Sequence, residues 1–165
     1  MNENDLSILL RVVIAAVLAG VLGWERESAG KSAGLRTHVL IGISGVLFVA
    51  IGQYMMLDFR AYGDHVRFDA ANLIGAIVTG ISFLGAGMIV FRKEAGGIKG
   101  LTTAAGVLTT AAIGVLVGLE RYFVAVGSTA IVFAVLRFAR YFEDRFLGPE
   151  EKQLSEQNDK NSRKV

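Results

Sequence analysis

Trp24-Glu-Arg-Glu-Ser-Ala-Gly-Lys-Ser-Ala-Gly-Leu-Arg-Thr-His38 decides how this chain is read. It is short, charged and glycine-bearing, and apolar runs flank it. Residues 6–23 precede it with one charge, Arg11, and residues 37–57 follow it with none. A helix needs about 20 apolar residues to cross a bilayer. The stretch therefore reads as a membrane-surface loop between two spans.

The pattern repeats further along the chain. Residues 71–91 and 101–119 form two more apolar runs, and a fifth begins near Tyr122 and stays apolar to Leu136. The fifth is short unless it continues through residues 137–147, where Phe138, Tyr141, Phe142, Arg145 and Phe146 share a helical face and the basic stems can snorkel. The chain is 53% hydrophobic with a mean hydropathy of +0.50. The expected fold is all-α: a polytopic membrane protein of five transmembrane helices, with two repeated helical hairpins and a fifth helix. Residues 1–147 form the membrane domain. Gly148-Pro149 ends the last helix, and the polar tail 148–165 is expected to be disordered.

The first run follows an acidic start, Met1-Asn-Glu-Asn-Asp5, so it reads as a retained helix and not a signal peptide. Cysteine is absent, which excludes disulfides and thiolate chemistry. The basic residues set the orientation. Arg26, Lys31 and Arg36 lie in the first loop and Arg92, Lys93 and Lys99 in the third. Seven more follow from Arg137 onward. The opposite side has Arg60, Arg67 and Arg121. The N-terminus is expected outside and the C-terminus in the cytoplasm.

Residues 29–37 align with residues 95–103 at a constant offset: Ala29, Gly30, Gly34, Leu35 and Thr37 meet Ala95, Gly96, Gly100, Leu101 and Thr103. In each copy a Gly–Leu pair precedes polar residues, Arg36-Thr37 or Thr102-Thr103, and reads as a helix start. Threonine can cap there, and exposed amides favour an anion. That anion is a phosphate, a lipid head group or a partner's carboxylate, with simple capping as the plainer alternative. Small residues at Gly106, Thr110, Gly114 and Gly118, and at Ala71, Gly75, Thr79 and Gly80, suit close helix packing.

Arg11 within the first span needs a partner. Asp69, at the start of the third span on the same side, is expected to supply it, joined by Asn72; a snorkelling, solvated Arg11 is the alternative. Glu25 and Glu27 flank Arg26 and make a poor magnesium site, because three bases lie close in sequence. A Glu25–Arg36 or Glu25–Lys99 contact is expected instead. His38 can titrate or accept a hydrogen bond, although a lone interfacial histidine is more often structural. His65 has no identifiable partner. There is no nucleophile–base constellation and no metal-ligand spacing. The chain is read as non-enzymatic, without cofactor or metal and without a nucleic-acid partner.

These blocks resemble the MgtC/SapB family of bacterial membrane proteins. The resemblance rests on Gly23-Trp-Glu-Arg-Glu27, Ala33-Gly-Leu-Arg-Thr-His38, Thr79-Gly-Ile-Ser-Phe-Leu-Gly-Ala-Gly87, Gly100-Leu-Thr-Thr-Ala-Ala105 and Ala111-Ala-Ile-Gly114. It also marks Arg11 and Asp69 as motif positions. Asn72 stands where the family often has arginine, and Leu108 where it often has tryptophan. The chain resembles a short member without the cytoplasmic domain of the virulence-type proteins. The resemblance implies an inner-membrane regulator or adaptor linked to magnesium limitation, acid tolerance and intracellular survival. Such a protein works by binding other membrane proteins, including the ATP synthase or a transporter, in contact with membrane lipids and with self-association open. The candidate functional residues are Glu25, Arg26, Arg36, Thr37, His38, Thr102 and Thr103. The alternative is a small ion or solute transporter.

Overall fold

A computed structural model describes residues 3–60, 69–90 and 100–146. These hold five helices: α1 (Glu3–Ser28), α2 (Leu35–Arg60), α3 (Ala70–Val90), α4 (Leu101–Gly118) and α5 (Tyr122–Phe146). The fold is all-α. Four helices are long and apolar enough to cross a membrane, while the apolar part of α5 is the shorter Tyr122–Phe138. As expected, α5 continues through the amphipathic stretch. The tail 148–165 lies outside the described residues, as does His65.

Helices dominate because lipid offers no hydrogen bonds, so each backbone must satisfy itself. The outward surface suits lipid: Phe83 is 80% exposed, Phe123 93% and Ile131 67%, with Leu9, Leu10, Val13 and Val17 turned outward on α1. An apolar exterior of this extent does not belong in water.

α4 is the axis of the bundle and packs against the other four helices. Its glycines explain how. A Cβ on Gly114 would overlap the carbonyl oxygen of Gly42 on α2. One on Gly45 would come within 2.8 Å of the Ala111 oxygen, and one on Gly118 within 2.8 Å of the Val49 Cβ. The α2 and α4 backbones therefore touch. The stripe Gly106, Thr110, Gly114 and Gly118 is buried in this contact, as the spacing led us to expect. The α3 stripe behaves differently. Gly75, Gly80 and Gly87 meet nothing within 4 Å, and α3 is held to α4 through Ile77, Ile81 and Gly85. Between the two ends of the bundle lies an apolar core of Ala15, Leu22, Val46, Ile113, Val117 and Ala125.

The loop expected over residues 24–38 is mostly helix. α1 runs through Trp24-Glu-Arg-Glu-Ser28, and α2 already begins at Leu35. α1 stops at a Schellman turn. Gly30 adopts φ 66°, its N–H reaches the Glu27 oxygen at 2.9 Å, and the Lys31 N–H reaches the Arg26 oxygen at 3.0 Å. Charge and glycine content suggested a loop, but the extra helical turn places Glu25 and Arg26 inside the bundle.

Both Gly–Leu pairs do open helices, at Leu35 and Leu101. The caps differ from expectation. Gly100 is the N-cap of α4 at φ 102°, without a side-chain hydrogen bond, and Thr102 and Thr103 lie inside the first turn. Most of the second copy of the repeat lies outside the described residues.

Candidate functional site

At one end of the bundle α1, α2 and α4 converge. Gly23 makes this possible, because a Cβ there would sit 2.8 Å from the Leu35 Cα and 2.9 Å from the His38 Cβ. The close approach buries Glu25 (2% exposed), Arg26 (3%) and His38 (fully). Neighbouring residues project about 100° apart around a helix. Even so, the Arg26 side chain folds back so that its Nε donates to Glu25 Oε2 at 2.6 Å. The expected Glu25–Arg36 contact is not formed. Arg36 points outward, exposed, because position 36 falls on the outer side of the first α2 turn, and Lys99 lies outside the described residues.

His38 is held by its own helix. Nδ1 lies 3.0 Å from the Gly34 carbonyl, which can only accept, so Nδ1 carries the hydrogen and Nε2 is left as an acceptor. His38 Nε2 and Glu25 Oε1 are both buried without a hydrogen-bond partner among the described residues. On the α4 side, Thr103 is buried and Gly106 faces the ring, where an added Cβ would meet Nε2 at 3.6 Å. Thr37 is half-buried and Thr102 exposed. The structure thus gathers Glu25, Arg26 and His38 at this end, buries Thr103 in the first turn of α4, and leaves Arg36 and Thr102 exposed.

The anion expected at the start of α2 comes from the chain itself. Glu27 Oε2 accepts the Leu35 N–H at 2.8 Å, supplying negative charge where the helix dipole favours it. Gly34 leaves room for it, since a Cβ there would lie 2.7 Å from the same oxygen. Glu27→Ala removes this cap, and an expected loss of about 1 kcal/mol would show as a lower midpoint in denaturant titration.

The other end holds a second buried charge with an unexpected partner. Arg11 pairs with Glu120 and donates to the Gly118 carbonyl at 3.0 Å, to Ser7 Oγ at 3.1 Å and to Gln53 Oε1 at 3.4 Å. The expected Arg11–Asp69–Asn72 group is not formed. Asp69 is exposed and its Oδ1 accepts the amides of Ala71 and Asn72, capping α3, while Asn72 is also exposed. The reason is topological: α3 packs on α4 and α2, whereas α1 faces α2, α4 and α5. Arg11 instead meets the negative C-terminal end of α4. Glu120 ends α4 in the left-handed region at φ 62°, a position that usually takes glycine. Its carboxylate is thereby turned onto Arg11. The signal in the sequence was a single acid between the fourth and fifth spans, at the depth of a single arginine in the first.

Among the described residues no group of three or more His, Asp or Glu could hold a metal ion. The chain matches the MgtC family over residues 12–145. The chain belongs to the MgtC family. It is 41% identical over 128 residues to the putative magnesium transporter YhiD of Escherichia coli K12, covering 78% of this chain and 58% of that protein. It is 32% identical over 149 residues to SapB of Bacillus subtilis, covering 90% of this chain and 63% of that protein. With MgtC of Brucella abortus the identity is 36% over 121 residues, covering 73% and 46%. The chain therefore spans about half to two thirds of these relatives. No solved structure matches it. Family membership and the four long apolar helices together make this a multi-pass membrane protein of the MgtC family.

Proposed function

We propose that this MgtC-family protein is a non-enzymatic regulator or adaptor of the bacterial inner membrane. It is tied to magnesium limitation and to acid or ionic stress, and acts by binding other membrane proteins such as an ATP synthase or a transporter. The observation that carries this reading is the closed interior. The buried charges sit at opposite ends, Glu25 and Arg26 at one and Arg11, paired with the exposed Glu120, at the other. Between them lie an apolar core and a backbone-to-backbone crossing of α2 and α4. A transport path normally carries ionisable or polar groups through the membrane. The working surface is the exposed rim at the Glu25–Arg26 end of the bundle, where Trp24 is 66% exposed and Lys31 and Arg36 are exposed as well. An aromatic with basic neighbours suits a partner or lipid head groups at the interface. The excess of basic residues at this end supports a cytoplasmic position for it.

A second reading, a small ion or solute transporter, is favoured by the name of the relative YhiD. Affinity purification from membranes of cells grown in low and high magnesium is expected to recover a defined membrane-protein partner, with recovery reduced by Trp24→Ala and Arg36→Ala. Magnesium flux into proteoliposomes, abolished by Arg26→Met while the fold is retained, would replace the adaptor reading with the transporter.

A further inference from the structure

Most of the polar groups inside the bundle are satisfied, which makes the exceptions at the α1–α2–α4 junction informative. Buried polar atoms in proteins are nearly always hydrogen-bonded. Here two acceptors of different side chains, Glu25 Oε1 and His38 Nε2, are each buried with no protein donor among the described residues. Gly23, two residues before Glu25, lies against His38, where an added Cβ would sit 2.9 Å from the His38 Cβ, so α1 brings Glu25 to the ring's end of the bundle. Two unpaired acceptors call for a ligand that donates.

The charges present narrow the choice of ligand. Arg26 is already bonded to the other Glu25 oxygen at 2.6 Å, so the carboxylate charge is matched. A divalent cation would have one free carboxylate oxygen and one ring nitrogen, with a guanidinium beside them. That is too few ligands and the wrong neighbouring charge. Gly106 sets the size of the space: the lack of a side chain there leaves the Nε2 side of the ring uncrowded from α4. The species that fits is the smallest donor, a water molecule and the proton it can deliver.

We propose that the Glu25–His38–Gly106 junction is an internal proton-binding site. A water molecule bridges the two acceptors, and His38 Nε2 takes up one proton from hydronium through it. The hydronium returns to water, Nδ1 keeps its hydrogen on the Gly34 carbonyl, and the resulting imidazolium donates toward Glu25 Oε1. Glu25 then lies between two cations, Arg26 and His38. The charged groups around the ring are few. α1 supplies Glu25 and Arg26, with Glu27 engaged by the Leu35 amide. α2 supplies Arg36, which is exposed. The described parts of α3 and α4 near the junction carry no ionisable side chain. The site does not depend on whether the protein acts as an adaptor or a carrier.

The chain has two histidines, so His65→Asn leaves His38 as the only one. We expect nitrogen-15 NMR of histidine-labelled His65→Asn protein in nanodiscs to show, near neutral pH, a ring protonated on Nδ1, with Nε2 bare and in contact with water. On acidification Nε2 gains a proton while the helices stay intact. Glu25→Gln is expected to weaken proton binding about tenfold, through loss of an opposite charge. Gly106→Ala places a methyl in ordinary contact with Nε2, so it should keep the fold but remove the water contact and impair proton uptake. Three results would each overturn the proposal: an Nε2–H tautomer near neutral pH, a titration unchanged by both substitutions, or a Nε2 signal displaced by added magnesium or zinc. If Glu25→Gln does not fold, Gly106→Ala decides alone.

Discussion

Gly114→Leu is expected to lower stability by about 3 kcal/mol or more, or to prevent folding, because its side chain would start inside the α2 backbone. The first added atom overlaps the Gly42 carbonyl oxygen, with the Gly42 Cα only 3.1 Å away. No rotamer avoids that contact, since it involves the Cβ itself. In lipid, apolar side chains gain nothing by leaving the solvent, so helix association rests on close packing. Separating α2 from α4 would therefore forfeit the packing along Gly42, Gly45 and Gly118 as well. Gly75→Leu is the control. It carries the same chemical change at a position where nothing lies within 4 Å, and it should leave the unfolding midpoint nearly unchanged. Detergent or denaturant unfolding of the two variants side by side tests the prediction. Equal stability would mean that α2 and α4 do not touch at Gly114.

Arg26→Met should cost about 3 to 5 kcal/mol by leaving a carboxylate buried without its partner. The Glu25 side chain is 1% exposed and that of Arg26 3%, so neither is solvated by bulk water in the folded protein. Methionine keeps most of the volume, so the loss reports charge and not a cavity. The double variant Glu25→Met with Arg26→Met should regain most of the stability, because replacing a buried pair by apolar groups is often neutral. A double-mutant cycle reads the coupling directly. Losses that simply add would show that the two charges do not depend on each other. A double variant that is stable but no longer recovers the membrane partner would separate the role of the pair in function from its role in folding.

The helices were legible in the sequence, while the meetings of their side chains were not. The apolar runs placed five helices close to where they lie, and the Gly–Leu pairs located the starts of α2 and α4. Glu25, Arg26 and His38 stood out as candidates and do come together. Residues 24–28 resemble a loop in sequence because they form a charged, polar turn at a span's end, yet they are the last turn of α1. Only the packing of Gly23 against Leu35 and His38 shows that the turn is inside. Arg11 was recognised as needing an acid, but Asp69 and Glu120 both lie at its level in the chain. Choosing between them required knowing that α4, and not α3, borders α1.

Local hydropathy is enough to place the helices and the solvent they face, because lipid makes each segment satisfy its backbone internally. Which faces turn inward depends on contacts between helices. A membrane helix such as α2 is apolar nearly all round, so lipid-facing and core-facing residues look alike in sequence. Rotation is set instead by where glycines let two backbones touch. The contact at Gly42 and Gly114 joins α2 to α4, and the one at Gly23 brings α1 against α2 and buries Glu25, Arg26 and His38.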